Sequence, residues 1–164
     1  MIIIGYQGIG KSTLSKNQFN IFIDLESSNF FFEKNGMLIR DPNWYIPYCK
    51  IANHLSEQGF IVFVSSHKVV RDELKKSKRK VVAIYPALEL KDQWIKKLRN
   101  RYNETGLEKD YKALANAEDR YEENIKEIID DVEDSLVIND INYDLEDIIQ
   151  VYFAEQILKY KENN

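Results

Sequence analysis

The 164-residue sequence is poor in the residues that build cross-linked or membrane-embedded proteins. It contains one cysteine, Cys49, which excludes an internal disulfide framework and a cysteine-based metal cluster. No stretch approaches the ~20 consecutive apolar residues that a membrane-spanning helix needs. The apolar start, Met1–Ile4, ends at once in a glycine loop, unlike a secretory signal peptide. These absences predict a protein of the cytoplasm that has no membrane partner.

The chain also lacks an excess of positive charge, with 23 lysine and arginine residues against 27 acidic ones and a net charge of −4. Binding to duplex nucleic acid needs a basic surface that displaces counterions, so we do not expect it, although a local basic groove is compatible with this composition. Hydrophobic residues make up 44% and charged residues 30%. This balance and the length predict one globular domain over residues 1–164, as a monomer or a homodimer.

Five short apolar runs predict the strands of a parallel sheet. They are continuous rather than alternating and rich in β-branched residues, as in strands that are covered on both faces. Helical patterns separate the runs, which is typical of βαβ units in an α/β fold. The runs are Ile2–Ile4, Ile21–Ile23, Ile61–Val64, Val81–Tyr85 and Leu136–Ile138, and the main helical patterns are Lys11–Lys16, Asn43–Gln58, Val69–Lys76, Leu90–Tyr102 and Leu145–Lys161. The apolar face of Asn43–Gln58 is predicted to consist of Trp44, Tyr48, Ile51, Ala52 and Leu55.

The segment 86–135, between the fourth and fifth runs, departs from this rhythm. Apolar residues recur in it close to a heptad spacing and predict a long helix with a narrow apolar seam. One interpretation is a helix packed on the core; the other is an arm of a mobile helical lid, or a dimer surface. The seam consists of Leu107, Tyr111, Leu114, Tyr121, Ile125, Ile128 and Val132.

The clearest motif is the loop Gly5–Ser12, which satisfies the P-loop (Walker A) pattern of glycine, four residues, then glycine-lysine-serine. Its glycines let the backbone close on phosphates, and its N–H groups and the following helix start attract anions. The motif predicts binding of ATP with Mg²⁺, with Lys11 on the β- and γ-phosphates and Ser12 as a magnesium ligand. The expected nucleotide-binding residues are Gly5, Gln7, Gly8, Ile9, Gly10, Lys11, Ser12 and Thr13.

Polar residues follow the next two predicted strands, and ligands of open α/β sheets bind at strand carboxyl ends. Asp24 is expected to hold magnesium through water or to accept a proton from the acceptor hydroxyl; the alternative is a turn cap. Glu26 is a candidate substrate contact. Many P-loop proteins carry a magnesium-binding aspartate where this chain has Ser65 and Ser66. Because that aspartate is missing here, we expect Asp24 to take over part of the magnesium binding.

Other side chains are candidates for substrate binding, each with a structural alternative. Ser66, His67 and Arg71 lie at or just beyond the third strand, where a histidine or arginine can equally be structural or solvated. Tyr45 and Tyr48 open the second helix, where they either stack on a ring or pack on the core. The loop 139–142, after the last strand, is the expected position of the adenine.

A basic cluster in Leu90–Tyr102 includes Arg99 and Arg101. Such residues can close over the transferred phosphoryl group and neutralise charge in the transition state, although a solvated basic face is the alternative. Residues two apart do not share a helix face, so we expect at most one of the two arginines to enter the site.

The order of these parts resembles the nucleoside monophosphate kinase-like branch of P-loop kinases, which also contains shikimate and gluconate kinases. The resemblance covers the P-loop, the acid after the second strand, a substrate helix from Asn43 and a basic lid helix, and residues 65–72 are similar to the corresponding part of gluconate-type kinases. It implies a P-loop NTPase fold with a helical lid over 86–135, and transfer of the γ-phosphoryl group of ATP to a small acceptor. By that resemblance Lys11 holds the phosphates, Ser12 the magnesium, Asp24 the metal water or the acceptor, and Arg99 or Arg101 the lid contact.

The leading hypothesis from the sequence is therefore an ATP-dependent phosphotransferase that acts on a nucleotide or nucleoside. The alternatives are a kinase of another small metabolite, such as a sugar acid, and a P-loop ATPase that acts as a switch on a partner.

Overall fold

The sheet follows directly from the apolar runs. The computed structural model describes residues 1–18, 21–77 and 79–162. Strands β1 (Ile2–Gly5), β2 (Phe22–Asp24), β5 (Ile61–Ser65), β6 (Val81–Pro86) and β7 (Asp134–Ile138) form one sheet in the order β2-β5-β1-β6-β7. All its neighbouring strands are parallel. Successive residues of β1 are at most 1% exposed, and because they point to opposite faces, both faces of the sheet are covered. The predicted fold class is confirmed.

Six helices connect and flank these strands within the described residues: α1 (Lys11–Asn17), α2 (Tyr45–Glu57), α3 (Lys68–Lys75), α4 (Lys91–Thr105), α5 (Glu108–Asp131) and α6 (Leu145–Glu162). Each begins and ends within about one turn of its predicted position, which is the usual uncertainty of helix boundaries. Across the described ranges, none of these helices combines the length and the apolar character that crossing a membrane requires.

A hairpin between β2 and α2 is not among the predicted elements. Its strands β3 (Phe31–Lys34) and β4 (Met37–Arg40) pair antiparallel, and the turn Asn35-Gly36 has positive φ angles of 54° and 75°. An Asn-Gly pair between two apolar runs is the characteristic sequence signal of such a turn, so this element was within reach of prediction.

Five of the seven predicted seam residues of the segment 86–135 are buried in the core. Trp94 and Leu98 of α4 and Tyr121 and Ile125 of α5 are at most 1% exposed and join the same apolar cluster as β1. Large apolar side chains at helical spacing therefore pack these two helices against the sheet.

Parts of two predicted apolar faces do not reach this core. Leu107 and Tyr111 are 48% and 53% exposed, because they lie at the tip where α4 turns into α5, beyond the packed part of the seam. Ile51 of α2 is 42% exposed. The prediction that these three side chains are part of apolar packing faces is wrong.

Candidate active site

The P-loop connects β1 to α1 and has the backbone that its glycines permit. Gly8 and Gly10 have φ angles of 83° and 98°, in the left-handed region that favours glycine. A Cβ atom on Gly5 would lie 2.7 Å from Cδ of Lys11 and 2.8 Å from Cδ1 of Ile9. Glycine is therefore required at Gly5 because the stem of Lys11 crosses the loop there.

Lys11 directs its ammonium group back over the loop. Nζ donates hydrogen bonds to the carbonyl oxygens of Gly5, at 3.0 Å, and Tyr6, at 3.1 Å. Burial lowers the pKa of Lys11; the negative charges of Asp24 and Glu26 oppose this shift, and the positive charge of Arg101 adds to it. An anion bound against this ammonium would favour its charged form, as expected of a phosphate-binding lysine.

Ser12 and Asp24 meet across the end of the sheet. Ser12 Oγ, in the first turn of α1, donates to Asp24 Oδ2, at the carboxyl end of β2, over 2.5 Å. Burial raises the pKa of the Asp24 carboxyl, while the hydrogen bond from Ser12 and the charge of Lys11 act in the opposite direction. The two residues that the sequence predicts as metal ligands are therefore neighbours.

The chemistry of this pair fits magnesium bound together with a nucleotide. Mg²⁺ prefers oxygen ligands and is usually held by one or two carboxylates, substrate phosphates and water. Among the residues that the structure describes, no cluster of three or more histidine, cysteine or acidic side chains is arranged to enclose an ion. Ser12 and Asp24 can thus supply part of a shell that phosphate oxygens and water complete.

Arg101 and Arg99 lie on different sides of α4. Arg101 forms an ion pair at 2.5 Å with Asp110, which is 2% exposed, and its charge acts on Lys11. Arg99 instead pairs with Glu118, and both side chains are about half exposed. The structure brings Arg101 towards the P-loop and does not bring Arg99 there, because two residues along a helix rotate the side chain by about 200°.

Lys109 is a site residue that the sequence-based reasoning missed. Its Nζ lies 3.4 Å from Oε1 of Glu26, and its charge also acts on Asp24. No local signal marks this lysine, because the left-handed turn at Gly106, with a φ of 61°, is what returns α5 towards the end of β2.

An aromatic and basic cluster borders the other side of the site. The guanidinium carbon of Arg40 lies 4.1 Å from the ring centroids of both Phe31 and Trp44, and its Nη2 donates to the carbonyl of Ser27 at 2.6 Å. The imidazole of His67 meets the edge of Trp44 with the ring centroids 5.6 Å apart. This cluster joins the hairpin to the ends of β2 and β5.

His67 also contacts its own strand end. Its Nδ1 makes a short contact with the hydroxyl of Ser65. Partial desolvation, followed by the positive charges of Arg40, Arg71 and Lys11, lowers the pKa of His67 and favours the neutral imidazole. A neutral imidazole can both donate and accept a hydrogen bond, so it can contact a polar group of a bound substrate.

A groove of about 550 Å³ runs along α4 and faces the loop 139–142 that is predicted to receive the adenine. Lys97 Nζ lies 4.6 Å and 4.5 Å from the ring centroids of Trp94 and Tyr143, and it donates to the Tyr143 hydroxyl at 3.0 Å. Arg101 connects the groove to the surroundings of Lys11. The groove is lined by Gln93, Lys96, Lys97, Asn100, Arg101, Glu104 and Ile141.

Comparison with solved structures agrees with this architecture. No protein-family model and no curated protein sequence matches the chain. Shikimate kinase from Acinetobacter baumannii, in complex with shikimate, aligns over 98% of this chain and 93% of that chain, with a TM-score of 0.50 and 17% identity. The chain has the fold of a P-loop kinase. Dephospho-CoA kinase from Campylobacter jejuni aligns over 98% of this chain and 97% of that chain, with a TM-score of 0.42 and 14% identity, which is too distant to support an inference.

Tyr48 is a predicted substrate contact that the structure places inside the protein. Its side chain is fully buried; the hydroxyl donates to the Leu25 carbonyl at 2.6 Å and accepts from the Ser65 amide at 2.8 Å. Tyr48 therefore fixes the ends of β2 and β5 relative to each other, and the expectation of direct substrate contact is corrected. Tyr45, half-buried against the core, stays a prediction.

Arg71 is the second correction, because it is 3% exposed and faces α5 rather than the P-loop. Its guanidinium donates to Glu127 and Asp131, at 2.8 Å each, and to the carbonyl oxygen of Ser66. The arginine thus anchors the loop after β5 to the C-terminal half of α5. The half-buried Ser66 stays a predicted contact.

Within the P-loop itself, two predicted nucleotide contacts have other environments. The side chain of Ile9 is 1% exposed and belongs to the core, so it can meet a nucleotide through its backbone alone. The amide of Gln7 donates to α5, at the carbonyl oxygen of Ala113 and at Oδ1 of Asn116. Thr13 is exposed in the first turn of α1.

Proposed function

We propose that this protein is an ATP-dependent phosphotransferase that transfers the γ-phosphoryl group of ATP to a hydroxyl group of a nucleoside or nucleotide. The observation that carries the proposal is the 2.5 Å contact between Ser12 Oγ and Asp24 Oδ2, next to the ammonium of Lys11 and at the carboxyl end of the sheet. It combines a phosphate-binding loop with a place for magnesium, which an acceptor-directed kinase requires.

The charges around the loop suit the transferred group. Lys11 and the loop amides bind the β- and γ-phosphates, and Arg101 adds a positive charge from α4. Bound magnesium, held by Ser12 and Asp24 on the protein side, would supply neutralisation of the phosphate oxygens. The groove along α4 accommodates the base against the loop 139–142.

The carboxylates of Asp24 and Glu26 have different roles in the transfer. Asp24 accepts a hydrogen bond from Ser12 and is assigned to magnesium, and Glu26, which pairs with Lys109 at 3.4 Å, is assigned as the proton acceptor. The acceptor hydroxyl oxygen attacks the γ-phosphorus, the bond from that phosphorus to the β–γ bridging oxygen breaks, and ADP leaves. The hydroxyl proton passes to the carboxylate of Glu26.

The same pair of carboxylates favours a hydroxyl over a phosphate acceptor. A phosphate nucleophile carries negative charge and would be repelled by Asp24 and Glu26, whereas a hydroxyl donates to them. Arg40 and His67, on the opposite wall, favour an acceptor that also carries an anionic or polar group. A sugar acid has both features and is the second candidate.

An ATP-consumption screen with nucleosides, nucleoside monophosphates and sugar acids tests the proposal. We expect turnover that depends on an added hydroxyl acceptor and is lost in Lys11→Ala, while Lys16→Ala, an exposed lysine on the same helix, retains it. Turnover with sugar acids alone would support the second candidate. Strong hydrolysis without acceptor would favour an ATPase switch, and calorimetry that detects no ATP binding by the wild-type protein would refute both kinase proposals.

A further inference from the structure

The side chain of Gln7 joins the P-loop to α5. Its Nε2 donates to the Ala113 carbonyl at 2.9 Å and to Asn116 Oδ1 at 3.2 Å. Asn116 Oδ1 also accepts from Asn124 Nδ2 at 2.8 Å, so the oxygen is held in place from the far side. The Gln7 amide therefore faces a helix more than a hundred residues away, and it is not directed at a phosphate in the loop.

The loop residues on either side of this amide also meet the helices. The Trp94 Nε1 donates to the Gln7 carbonyl at 3.0 Å. The Tyr6 ring packs edge-on against Trp94 and Tyr121, with centroid distances of 6.4 Å and 5.8 Å. A Cβ atom on Gly8 would lie 2.8 Å from Cδ2 of Leu98. Residues 6–8 are thus seated against α4 and α5 by backbone and side-chain contacts.

The part of α5 that Gln7 contacts also carries charged side chains near the turn between α4 and α5. Lys109 reaches Glu26 from the first turn of α5, and Asp110 holds Arg101 by an ion pair and accepts from the Thr105 hydroxyl at 2.6 Å. A displacement of this half of α5 would move Lys109 relative to the loop and would remove Asp110 from Arg101 of α4. Contact with the loop and placement of the cations therefore depend on the same rigid segment.

A break in α5 separates this segment from the remainder of the helix. Arg120 has φ and ψ angles of −130° and 25°, which are not helical. Beyond the break, the Tyr121 hydroxyl donates to the carbonyl of Ala87 at 2.8 Å, and Arg71 binds Glu127 and Asp131. The contacts of Gln7 fall before the break, within residues 108–119, where Leu114 and Ala117 pack in the core and Asn116 accepts from Asn124 across the break.

We propose that Gln7 is a positioning residue that couples the P-loop to the first half of α5, so that nucleotide binding in the loop and seating of Lys109 and Arg101 over the site occur together. The inference rests on the proposed function, because it assumes that the loop binds a nucleotide. It assigns to Gln7 a role distinct from phosphate binding.

A double-mutant cycle tests the coupling, with AMP-PNP as the ligand and calorimetry as the assay. Gln7→Met keeps the length of the side chain and removes its donors without adding charge near the phosphates, and Asn116→Ala removes the side-chain acceptor while leaving the Ala113 carbonyl in place. We expect each single variant to weaken AMP-PNP binding by about 3–10-fold, and the double variant to be no weaker than the worse single one. Effects that multiply in the double variant would overturn the inference.

Hydrogen exchange gives a second readout that general destabilisation would not mimic. On addition of AMP-PNP, we expect the wild-type protein to gain amide protection in residues 5–12 and in residues 108–119. In Gln7→Met, the protection of the loop persists, whereas that of residues 108–119 is lost. Retained protection of both segments would contradict the coupling.

Gln150→Met is the matched control, since Gln150 donates to Glu146 within α6 at 3.0 Å, in an exposed position away from the loop. It is expected to leave both readouts unchanged. If Gln7→Met does not fold, Asn116→Ala, which removes one of the two acceptors of Gln7, must reduce the protection of residues 108–119 for the inference to stand. Absence of AMP-PNP binding in the wild-type protein would refute the proposed function, whereas normal wild-type binding with additive variants would refute the coupling alone.

Discussion

Gly8→Ala is the substitution whose cost the structure defines most closely. Gly8 has a φ of 83°, and an added Cβ would lie 2.8 Å from Cδ2 of Leu98 and 3.4 Å from Nε1 of Trp94. Leu98 is 1% exposed and Trp94 is fully buried, so neither side chain can move aside freely. The methyl group would therefore strain the backbone of the loop and push the loop away from α4.

Two contributions determine how much Gly8→Ala lowers the free energy of unfolding. A left-handed conformation costs a residue with a Cβ atom about 1–2 kcal/mol. Forcing one extra carbon into a packed interior costs about 1–3 kcal/mol. The sum is about 2–5 kcal/mol, or a fall of roughly 5–15 °C in Tm for a domain of this size.

Comparing the thermal unfolding of Gly8→Ala with that of Gly59→Ala separates the cost of the left-handed backbone from the cost of overpacking. Gly59 has a φ of 93°, and no described atom lies within 4 Å of the Cβ position there, so this control carries the conformational cost alone. We expect Gly8→Ala to lose at least about 1 kcal/mol more than the control, and Leu98→Ala to relieve part of that difference. Equal losses for the two glycines would refute the packing of the loop against α4.

Three further predictions test other parts of the site. Tyr48→Phe removes the hydroxyl that serves a carbonyl beyond β2 and an amide of β5, so we expect urea denaturation to show a loss of about 1–3 kcal/mol; an unchanged midpoint would contradict the bridge. Burial raises the pKa of Asp24 above its unfolded value, so the stability that this shift provides is present at low pH and is lost as the pH rises through the folded pKa. Asp24→Asn should therefore raise Tm at pH 7 and lose this advantage below about pH 4, near the unfolded pKa, while phosphoryl transfer falls more than ATP binding; an unchanged transfer rate would reduce Asp24 to a structural role. Arg101→Ala should lower kcat by about 100-fold, whereas Arg99→Ala stays within about twofold of the wild type; the reverse order would show that the wrong arginine has been assigned.

Much of the fold was predictable because its signals are local. A continuous run such as Ile2–Ile4 indicates a strand covered on both faces wherever that strand lies in the sheet. Gly5 and Gly10 mark a loop that must approach phosphates, since no other residue leaves enough room or freedom there. The hairpin was missed although Asn35-Gly36 announces it, because the runs around it were not assigned to strands.

The functional side chains also fall into two groups, those that local sequence signals mark and those that depend on tertiary contacts. The P-loop motif, the position of Asp24 at a strand end and the presence of a basic helix could be predicted, since each follows from residues that are close along the chain. Three other features became visible in the folded chain alone: the charge of Arg101 rather than Arg99 acts on Lys11, Lys109 pairs with Glu26, and the amide of Gln7 binds α5. These contacts depend on the rotational position of each helix and on the turn at the α4–α5 tip, and packing against the sheet sets both.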